Sequence, residues 1–512
     1  MYDYNFYLSR IRQGQEKRFL VVEKYYNQPH QGSLFQIFYL FIGKAGLIFG
    51  ASPTVLYHGA RLILGFVFLI LISLYVDKLF SGWWRLAAFL LITTSSSWPV
   101  LVKAGEFWRF GTYMGWWSAV DSLQRITFIP HVLLGQIGIL IFIRKYSAKF
   151  SKTKPLAYIL WGVSGFLIGI VFPPSLIVVY AYFFLYFILE VGLLFKNQRR
   201  SFFSLWREKI IPQAVFVLLS APALVYARLM FSIYPWKALA LFDTLHGVKM
   251  PYADYYLALG PVLIFGLLGA ILVLIKQKKE YYFSVVWIAA IFLLFKIFEF
   301  IPMQSSIRFT EGAINVPLGI LAAYFFFTIF HGKFKNKKFV SSILKLTARG
   351  TATATIVMGL LVMTSMVFWL TDQVKGKRVG GWKGPSGVQL AYPLKDFMRG
   401  ISYIQNNTRR EEVVLAYDTA SNYIPAYAGN FVYIGHANTP DEKEKRERAA
   451  EFFSAGMTEK EASDFMKKEN ISLVFFGPQE KEIKGINDPD KIYSFLSQEY
   501  RNDEVVVYRV KF

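Results

Sequence analysis

The chain has 512 residues, with 57 lysines and arginines against 34 acidic residues and no cysteine. With 54% hydrophobic and only 18% charged residues, it is too apolar for a typical soluble globular protein, and the same numbers exclude an intrinsically disordered one. The absence of cysteine excludes disulfides, cysteine-ligated zinc, iron–sulfur clusters and thiol nucleophiles. The composition therefore predicts an integral membrane protein with a formal net charge of +23.

The first 33 residues form a basic segment ahead of the first long apolar run. Within DYNFYLSRIRQGQE, the residues Phe6, Tyr7 and Ile11 are spaced as expected for a helix that lies along the membrane surface. The segment has none of the features of a signal peptide. We therefore predict that residues 1–33 form an amphipathic segment beside the membrane.

Ten apolar runs follow, each close to the roughly 20 residues that a helix needs to cross the hydrocarbon core of a membrane. They define a predicted transmembrane domain over residues 34–370. The ten predicted spans are residues 55–76, 86–102, 127–143, 156–172, 175–195, 210–230, 255–275, 281–301, 312–331 and 351–370.

The connections between these spans alternate in charge. Five of them contain 21 lysines and arginines in total, whereas the four others contain six. The basic connections are 77–85, 144–154, 196–209, 276–280 and 332–350. Basic residues accumulate on the cytoplasmic side of membrane proteins, so these five are predicted to be cytoplasmic and both termini external. A basic segment on the external side needs a preceding helix for its translocation across the membrane. We therefore expect a transmembrane helix ahead of Met1 in the intact protein.

The last part of the chain has a different composition. Residues 371–393 contain five glycines and two prolines, which predicts a linker. From residue 372 onward, 21 basic residues balance 21 acidic ones, so the excess positive charge lies in the membrane part. Nucleic-acid binding needs a basic stripe on a folded face, and it is therefore excluded as a function.

Residues 394–512 alternate between helical and β-rich stretches, which predicts a small α/β domain. Helices are expected near 394–407, 441–454, 458–468 and 490–497, and strands at Val413–Tyr417, Phe431–Ile434, Ile471–Phe476 and Val505–Val510. The predicted fold is mainly α: a polytopic helical membrane protein of about ten spans, with a small C-terminal α/β domain on the external side.

Four polar residues fall on the predicted external side of the membrane domain. Asp3 either caps a surface helix or acts as an acid–base group, and Asp121 has the same two interpretations. Arg308 suits a phosphate through its planar fork of donors, or it pairs with Glu311 three residues further on. Position in the sequence does not choose between these alternatives.

Other polar residues have simpler structural explanations. His131 opens the third span and has no second ligand one helical turn away, so a buried hydrogen-bonding role is preferred to metal binding. Lys296 and Glu299 lie three residues apart inside a span and are expected to pair with each other. His436 and Asp418 have no catalytic partner at motif spacing, which favours domain packing or acceptor recognition.

Several stretches of the chain resemble the glycosyltransferase-C superfamily of integral membrane enzymes. The first external loop of this superfamily carries an acidic residue followed by an amphipathic helix, and DYNFYLSRIRQGQE has this form with Asp3 at the acidic position. A second acid commonly lies in the next external loop, and GEFWRFGTYMGWWSAVDSLQRITFIPH contains Asp121. The runs NQPHQGSLFQIFYLFIGKAGLIFG and EVVLAYDTASNYIPAYAGNFVYIGHANTPDEKEKR resemble a group of large bacterial members. The resemblance implies an enzyme that takes a sugar from a polyprenyl-phosphate donor on the outer side of the membrane.

The chemistry of such a transfer suggests roles for the two acids. Moving a glycosyl group onto a hydroxyl needs a carboxylate near the acceptor to take its proton, and Asp3 is the predicted base with Asp121 as an assisting acid. A single displacement inverts the anomeric centre and needs no nucleophile from the enzyme. No cofactor is certain, and a divalent metal ion that bridges the two aspartates is an open alternative.

The leaving lipid phosphate needs a cation. Arg308 is the predicted contact, and Arg125 is a second candidate. Trp116 and Trp117, in the aromatic-rich second loop, are predicted to contact the substrate together with Glu311. Alternatively, the two tryptophans anchor the protein at the membrane interface and contact no substrate.

These expectations combine into one functional hypothesis and two alternatives. The chain is predicted to be a glycosyltransferase of a bacterial cell membrane, with an extracytoplasmic C-terminal domain. It would move a hexose or pentose from a polyprenyl-phosphate donor to an envelope glycan or lipid-linked acceptor by a single inverting displacement. A secondary transporter or lipid flippase is the first alternative, although the sequence shows no paired halves. The second is a non-catalytic membrane scaffold that binds envelope glycans.

Overall fold

The computed structural model of the protein is mainly helical and contains two small sheets. It describes residues 2–117, 120–147, 155–197, 206–245, 249–301, 304–332, 338–379, 395–483 and 488–511. The mainly α fold predicted from the composition is confirmed.

Twenty α-helices follow one another along the described ranges. In chain order they are α1 (Tyr2–Gln15), α2 (Ile37–Phe49), α3 (Pro53–Leu79), α4 (Trp83–Thr93), α5 (Ser122–Ile126), α6 (Pro130–Ser147), α7 (Pro155–Val171), α8 (Pro173–Asn197), α9 (Ile211–Met230), α10 (Trp236–Leu245), α11 (Tyr252–Leu259), α12 (Pro261–Ile275), α13 (Tyr282–Phe298), α14 (Asn315–Phe330), α15 (Lys338–Val379), α16 (Lys395–Asn407), α17 (Asp418–Tyr427), α18 (Glu442–Phe453), α19 (Glu459–Lys468) and α20 (Pro478–Glu482). Short 3₁₀ helices lie at Lys279–Tyr281, Ser306–Glu311 and Pro489–Lys491, and a π-helical turn lies at Trp206–Ile210.

The strands form an isolated hairpin and a five-stranded sheet. They are β1 (Val100–Ala104), β2 (Phe107–Gly111), β3 (Val413–Leu415), β4 (Phe431–Val432), β5 (Ile471–Phe476), β6 (Leu496–Arg501) and β7 (Val506–Val510). β1 pairs with β2 in antiparallel fashion. The larger sheet has the order β4-β3-β5-β7-β6, in which β3 runs parallel to β4 and β5, while β7 runs antiparallel to β5 and β6.

The chain divides into two compact units. The first unit comprises Met1–Gly59, Arg228–Leu245 and Thr371–Phe512, and it contains the five-stranded sheet. The second comprises Ala60–Ala227 and His246–Leu370, and it contains most of the long apolar helices. In the second unit, α14 is buried from Asn315 to Tyr324, as expected for a helix surrounded by others.

Five helices of the described ranges are long and apolar enough to cross a membrane. They are Pro53–Leu79, Pro173–Leu193, Ile211–Met230, Lys279–Phe298 and Phe339–Lys375, and the bent pair α11 and α12 makes a sixth if it counts as one span. Helices also occur at the other predicted spans, but α4, α7 and α14 are shorter apolar helices of 10–17 residues. The prediction of ten spans is therefore not confirmed as a number.

The second predicted span, residues 86–102, is wrong in its second half. The helix α4 ends at Thr93 after 11 residues, which is roughly 16 Å and too short to cross a membrane. The hydroxyls of Thr93 and Thr94 donate to the carbonyls of Phe89 and Leu90, and the following TTSSSWP stretch ends in a proline that cannot continue a helix. The chain then forms β1, so the apolar residues from Val100 onward belong to the hairpin.

The break between α11 and α12 depends on Gly260. The two helices meet at 86°. Gly260 has φ +66° and ψ −157°, a conformation that is essentially restricted to glycine, and a Cβ at this position would lie 2.0 Å from the carbonyl oxygen of Ser96. The irregular chain that follows α4 therefore packs directly against this bend.

The N-terminal helix α1 is packed inside the first unit rather than along a surface. Phe6 and Ile11 are almost fully buried, and Ile11 contacts the α2 residue Tyr39 in an apolar cluster. The polar face of α1 is also buried. There the Arg10 guanidinium donates to the Glu23 carboxylate at 2.6 Å. Phe6 and Ile11, which were predicted to face the membrane, are therefore packed within the first unit, and the polar residues of α1 find partners within the protein.

The predicted elements of the C-terminal part are mostly present. Helices occur at α16, α18 and α19, and strands at β3, β4, β5 and β7, each within a few residues of the predicted bounds. The helix predicted near 490–497 is wrong, since this stretch holds a 3₁₀ turn and the start of β6. Of the predicted linker 371–393, residues 371–379 continue α15, and residues 380–393 lie outside the described ranges.

Candidate functional site

Asp3 stands in the first turn of α1 with its side chain 73% exposed, although most of the helix behind it is buried. Its carboxylate oxygen Oδ1 lies 3.2 Å from Nε2 of His436, which follows β4 and is almost fully buried. The backbone N–H of Asn438 donates to the other ring nitrogen, Nδ1, at 3.2 Å. Nδ1 is therefore placed as an acceptor, which leaves Nε2 to donate to the Asp3 carboxylate.

The His436 ring is fixed from several sides. The Phe6 ring stacks on it with centroids 4.4 Å apart, and the Tyr25 ring lies 5.6 Å away. The side chain of Asn5 donates to Asn422, whose own amide donates to the carbonyl of Gly435, immediately before the histidine. This packing fixes the imidazole ring that contacts the Asp3 carboxylate.

The pair between Asp3 and His436 could not be read from sequence spacing. The two residues are 433 positions apart, and no motif relates them. The partner of His436 comes from the opposite end of the chain, where only the folded structure brings the two side chains together.

A second group of polar residues lies at the carboxyl ends of β3 and β5, where ligands bind in many open α/β sheets. The Glu480 carboxylate accepts backbone N–H groups from Tyr417 at 2.6 Å and Gly477 at 3.0 Å, and burial raises its pKa to about 7. Asp418 contacts the guanidinium of Arg446, which also contacts Glu442. Glu480 is held by main-chain donors, and Asp418 and Glu442 share the Arg446 guanidinium, which supports the packing role considered for Asp418.

In the second unit, the predicted substrate residues Trp117, Arg308 and Glu311 lie together. The Arg308 guanidinium carbon lies 5.3 Å from the ring centroid of Trp117, and its Nη1 lies 3.7 Å from Oε1 of Glu311. The Trp117 indole N–H donates to the hydroxyl of Thr310 at 2.7 Å. The Arg308 side chain is 34% exposed, whereas Glu311 is buried. The predicted pair of Arg308 with Glu311 is confirmed, and it leaves the arginine partly accessible.

Trp116 lies next to this group and is 57% exposed. Its ring meets that of Trp117 edge to face, with centroids 6.0 Å apart. An exposed aromatic ring beside a partly exposed guanidinium is an arrangement that suits a sugar phosphate, because the ring offers an apolar face and the cation offers donors.

Asp121 acts as a helix cap. Its Oδ1 accepts the backbone N–H groups of Leu123 at 2.8 Å and Gln124 at 3.0 Å, so it caps α5. The residue is largely buried, and this burial raises its pKa while the two backbone hydrogen bonds oppose the rise. Of the two interpretations that the sequence left open, the structure shows the cap.

Arg125 is buried at the end of α5, and its donors are directed at the main chain. Nη1 donates to the carbonyl and the hydroxyl of Ser95, both at 3.1 Å, and Nη2 donates to the carbonyl of Val120 at 3.1 Å. The side-chain oxygen of Asn315, in its better-satisfied orientation, accepts from Nε at 3.0 Å. A phosphate-binding role for Arg125 does not fit this geometry, because the guanidinium already serves to hold the loop.

The predicted site residues divide between the two compact units. Asp3 belongs to the first unit, and the six others belong to the second. Within the described residues, no three histidine or acidic side chains gather in a way that could hold a metal ion. At Asp3 the neighbouring His436 has both ring nitrogens engaged, and at Asp121 the Oδ1 accepts backbone N–H groups. The donors for a metal ion that bridges the two aspartates are therefore incomplete among the described side chains.

Several solved structures of known proteins are similar to this chain. The apo crystal structure of the Archaeoglobus fulgidus oligosaccharyltransferase matches with a TM-score of 0.52 and 13% identity, over 99% of this chain and 70% of that one. The same enzyme tethered to an acceptor peptide matches with a TM-score of 0.51 and 13% identity, over 92% and 64%. ArnT from Cupriavidus metallidurans bound to undecaprenyl phosphate has a TM-score of 0.46 and 10% identity, over 98% and 92%.

The sequence itself matches no protein-family model and no curated protein. The chain spans slightly less than two thirds of the archaeal enzyme in its two peptide complexes, 65% and 64% of its length. At this low identity the likeness concerns architecture, and the architecture agrees with the resemblance carried by the sequence motifs. The chain has the glycosyltransferase-C fold.

Proposed function

We propose that this protein is a membrane glycosyltransferase that takes a sugar from a polyprenyl-phosphate donor and transfers it to an envelope glycan or lipid-linked acceptor. The observation that carries the proposal is the Asp3 carboxylate, which is exposed, placed at a helix start and contacted by a buried histidine. The fold supports the same class, since the archaeal neighbour is an oligosaccharyltransferase.

Asp3 is proposed to act as the general base. The acceptor hydroxyl gives its proton to the carboxylate while its oxygen bonds to the anomeric carbon. The bond from that carbon to the phosphate oxygen breaks in the same displacement, and its electron pair leaves on the lipid phosphate. His436 is proposed to keep the carboxylate oriented through the 3.2 Å contact between its Nε2 and Oδ1 of Asp3.

Arg308 is proposed to bind the phosphate of the lipid. Its guanidinium is partly exposed and lies against the Trp117 ring and beside the buried Glu311, so its direction is set before a ligand binds. Trp116 is proposed to contact the sugar. Asp121 and Arg125 are proposed to position this loop through their contacts with the main chain rather than to take part in the chemistry.

The proposal is tested by transfer assays in membranes that contain the full chain. The probes are radiolabelled polyprenyl-phosphate hexoses and pentoses, and the label that leaves the donor is counted. Asp3→Asn is expected to lower kcat by about 100-fold or more, since positioned bases contribute roughly 10²–10⁴-fold. Arg308→Gln is expected mainly to weaken binding of the lipid-phosphate donor and therefore to raise its KM.

A matched control is Asp396→Asn. Asp396 also stands in the first turn of a helix of the first unit, and it pairs with Arg399 three residues on. We expect wild-type turnover from this variant. Unchanged turnover of Asp3→Asn would remove Asp3 as the base. Uptake of the labelled donor into vesicles without any glycosylated product would favour the flippase alternative.

A further inference from the structure

A cavity of about 230 Å³ lies in the second unit at the ends of several helices. Its wall is formed by the last turn of α3, the end of α6, the middle of α8 and the 3₁₀ turn that leads into α13. Three basic side chains line it, namely Lys78, Arg144 and Lys279. All three belong to connections that the charge pattern predicts to be cytoplasmic.

This cavity is distant from Arg308. Lys279 precedes α13, whereas the Phe298 ring at the other end of that helix contacts Phe309, next to Arg308, with centroids 4.6 Å apart. The 17 residues of α13 span roughly 25 Å at the usual rise per residue. The cavity is therefore separate from the proposed donor contact and lies at the opposite end of the same helix.

The elements that carry the three cations are tied to one another. The Tyr281 hydroxyl donates to the carbonyl of Leu79 at 3.3 Å, which fixes the turn of Lys279 beside the end of α3. The Tyr75 hydroxyl donates to the carbonyl of Leu140 at 2.6 Å, which fixes α3 to α6 one turn before Arg144. The Arg144 guanidinium carbon lies 5.9 Å from the Tyr75 ring centroid. Contacts within the protein thus hold the three cations on the wall of one cavity.

The charges of the cavity are unbalanced. Glu280 is the acidic residue of its lining, and it lies 4.0 Å from Lys278, which is outside the lining. Among the residues that the structure describes, no carboxylate stands within 4.0 Å of Lys78, Arg144 or Lys279. Three cations that line one cavity repel one another. An anion with several oxygens relieves this repulsion by accepting hydrogen bonds from all three.

The mouth of the cavity continues onto an apolar surface. Leu74 lines the cavity and is 43% exposed, and Lys78 lies four residues later on the same face of α3. α3 is one of the helices that are long and apolar enough to cross a membrane. Acyl chains can therefore lie along this face while a phosphate lies among the cations, an arrangement in which basic pockets bind lipid headgroups.

We propose that this cavity binds the phosphate headgroup of an anionic phospholipid. Its volume suits a phosphate and a small polyol, and the acyl chains stay outside against α3. The site is independent of the proposed transferase chemistry, so either proposal can fail while the other stands.

The test is native mass spectrometry of the full chain, purified in an uncharged detergent and titrated with phosphatidylglycerol or phosphatidylcholine. We expect tighter binding of phosphatidylglycerol. The variant Lys78→Gln/Arg144→Gln/Lys279→Gln is expected to weaken it on the order of 100-fold, because each cation near an anionic lipid contributes about a fivefold gain in affinity. If the triple variant does not fold, Lys279→Gln alone is expected to weaken binding about fivefold.

The matched control removes three exposed cations that do not line the cavity, Lys249, Lys276 and Lys345, and it is expected to bind as the wild type does. Inorganic phosphate is titrated in competition. Displacement of the lipid at low millimolar phosphate would assign the cavity to free phosphate and overturn the lipid as its occupant. Equal binding of the two lipids, or wild-type affinity in the triple variant, would overturn the proposal.

Discussion

At the scale of single residues, the buried carboxyl group of Glu480 gives the protein a pH dependence. Burial raises its pKa to about 7 from an ordinary value near 4.5, so between these values the folded protein binds a proton that the unfolded chain lacks. Stability is therefore lost as the pH rises through this window, by at most about 3 kcal/mol. In Glu480→Gln this titration is absent. We therefore expect the difference in Tm, wild type minus Glu480→Gln, to be smaller at pH 8 than at pH 5.

The neighbouring variant Glu482→Gln serves as the control, because Glu482 is exposed on the same short helix α20. Its Tm relative to the wild type is expected to stay constant between the two pH values. A constant difference for Glu480→Gln as well would show that the buried carboxyl does not titrate in this window.

Contacts between neighbouring residues were predictable from the sequence, and contacts between distant residues were not. The pairs of Arg308 with Glu311 and of Lys296 with Glu299 are both present, since residues three apart on a helical turn face the same side. The cap at Asp121 follows the same local logic. The contact of Asp3 with His436 depends on the whole fold, and a single sequence carries no signal for it.

At the scale of elements, apolar runs predicted where helices occur but not where they end or what they face. α4 ends early because hydroxyl side chains and Pro99 interrupt it, a local signal that the run of apolar residues obscured. α1 has the spacing of a surface helix, yet its polar residues bind other parts of the first unit. Which face of a helix meets protein depends on its neighbours, and these come from other segments.

The bend between α11 and α12 gives a prediction at this scale. Gly260→Ala places a Cβ 2.0 Å from the Ser96 carbonyl oxygen in a backbone conformation that alanine avoids. We expect a loss of about 2–4 kcal/mol in unfolding free energy from the strain and the overlap together. The decrease in Tm of the purified protein in detergent measures it.

Gly350→Ala is the matched control in the same unit. Gly350 lies inside α15, and an added Cβ would meet nothing within 4 Å. Because alanine is the better helix former, this variant is expected to be as stable as the wild type or slightly more stable. Similar Tm values for both glycine variants would contradict the proposed role of Gly260 in the bend.

At the scale of the whole molecule, the fold persists where residue identities do not. The archaeal neighbour is 13% identical to this chain, yet the alignment covers 99% of this chain. A membrane constrains the length and the apolar character of spanning helices, and many sequences meet these requirements. The motifs around Asp3 and Asp121 therefore pointed to the architecture, whereas the number of spans and the packing of α1 required the structure.

The distribution of charge predicts which side of the membrane each part faces. Because the natural chain has no cysteine, any introduced cysteine is its only thiol. We introduce Lys468→Cys in α19 and Lys276→Cys at the end of α12, two exposed positions in different units. The positive-inside rule predicts that a membrane-impermeant maleimide labels the thiol at position 468 in intact spheroplasts and labels the thiol at position 276 only after the membrane is permeabilised. The unmodified chain controls for background labelling. The opposite pattern would place the basic connections outside and would remove the external location on which the role of Asp3 rests.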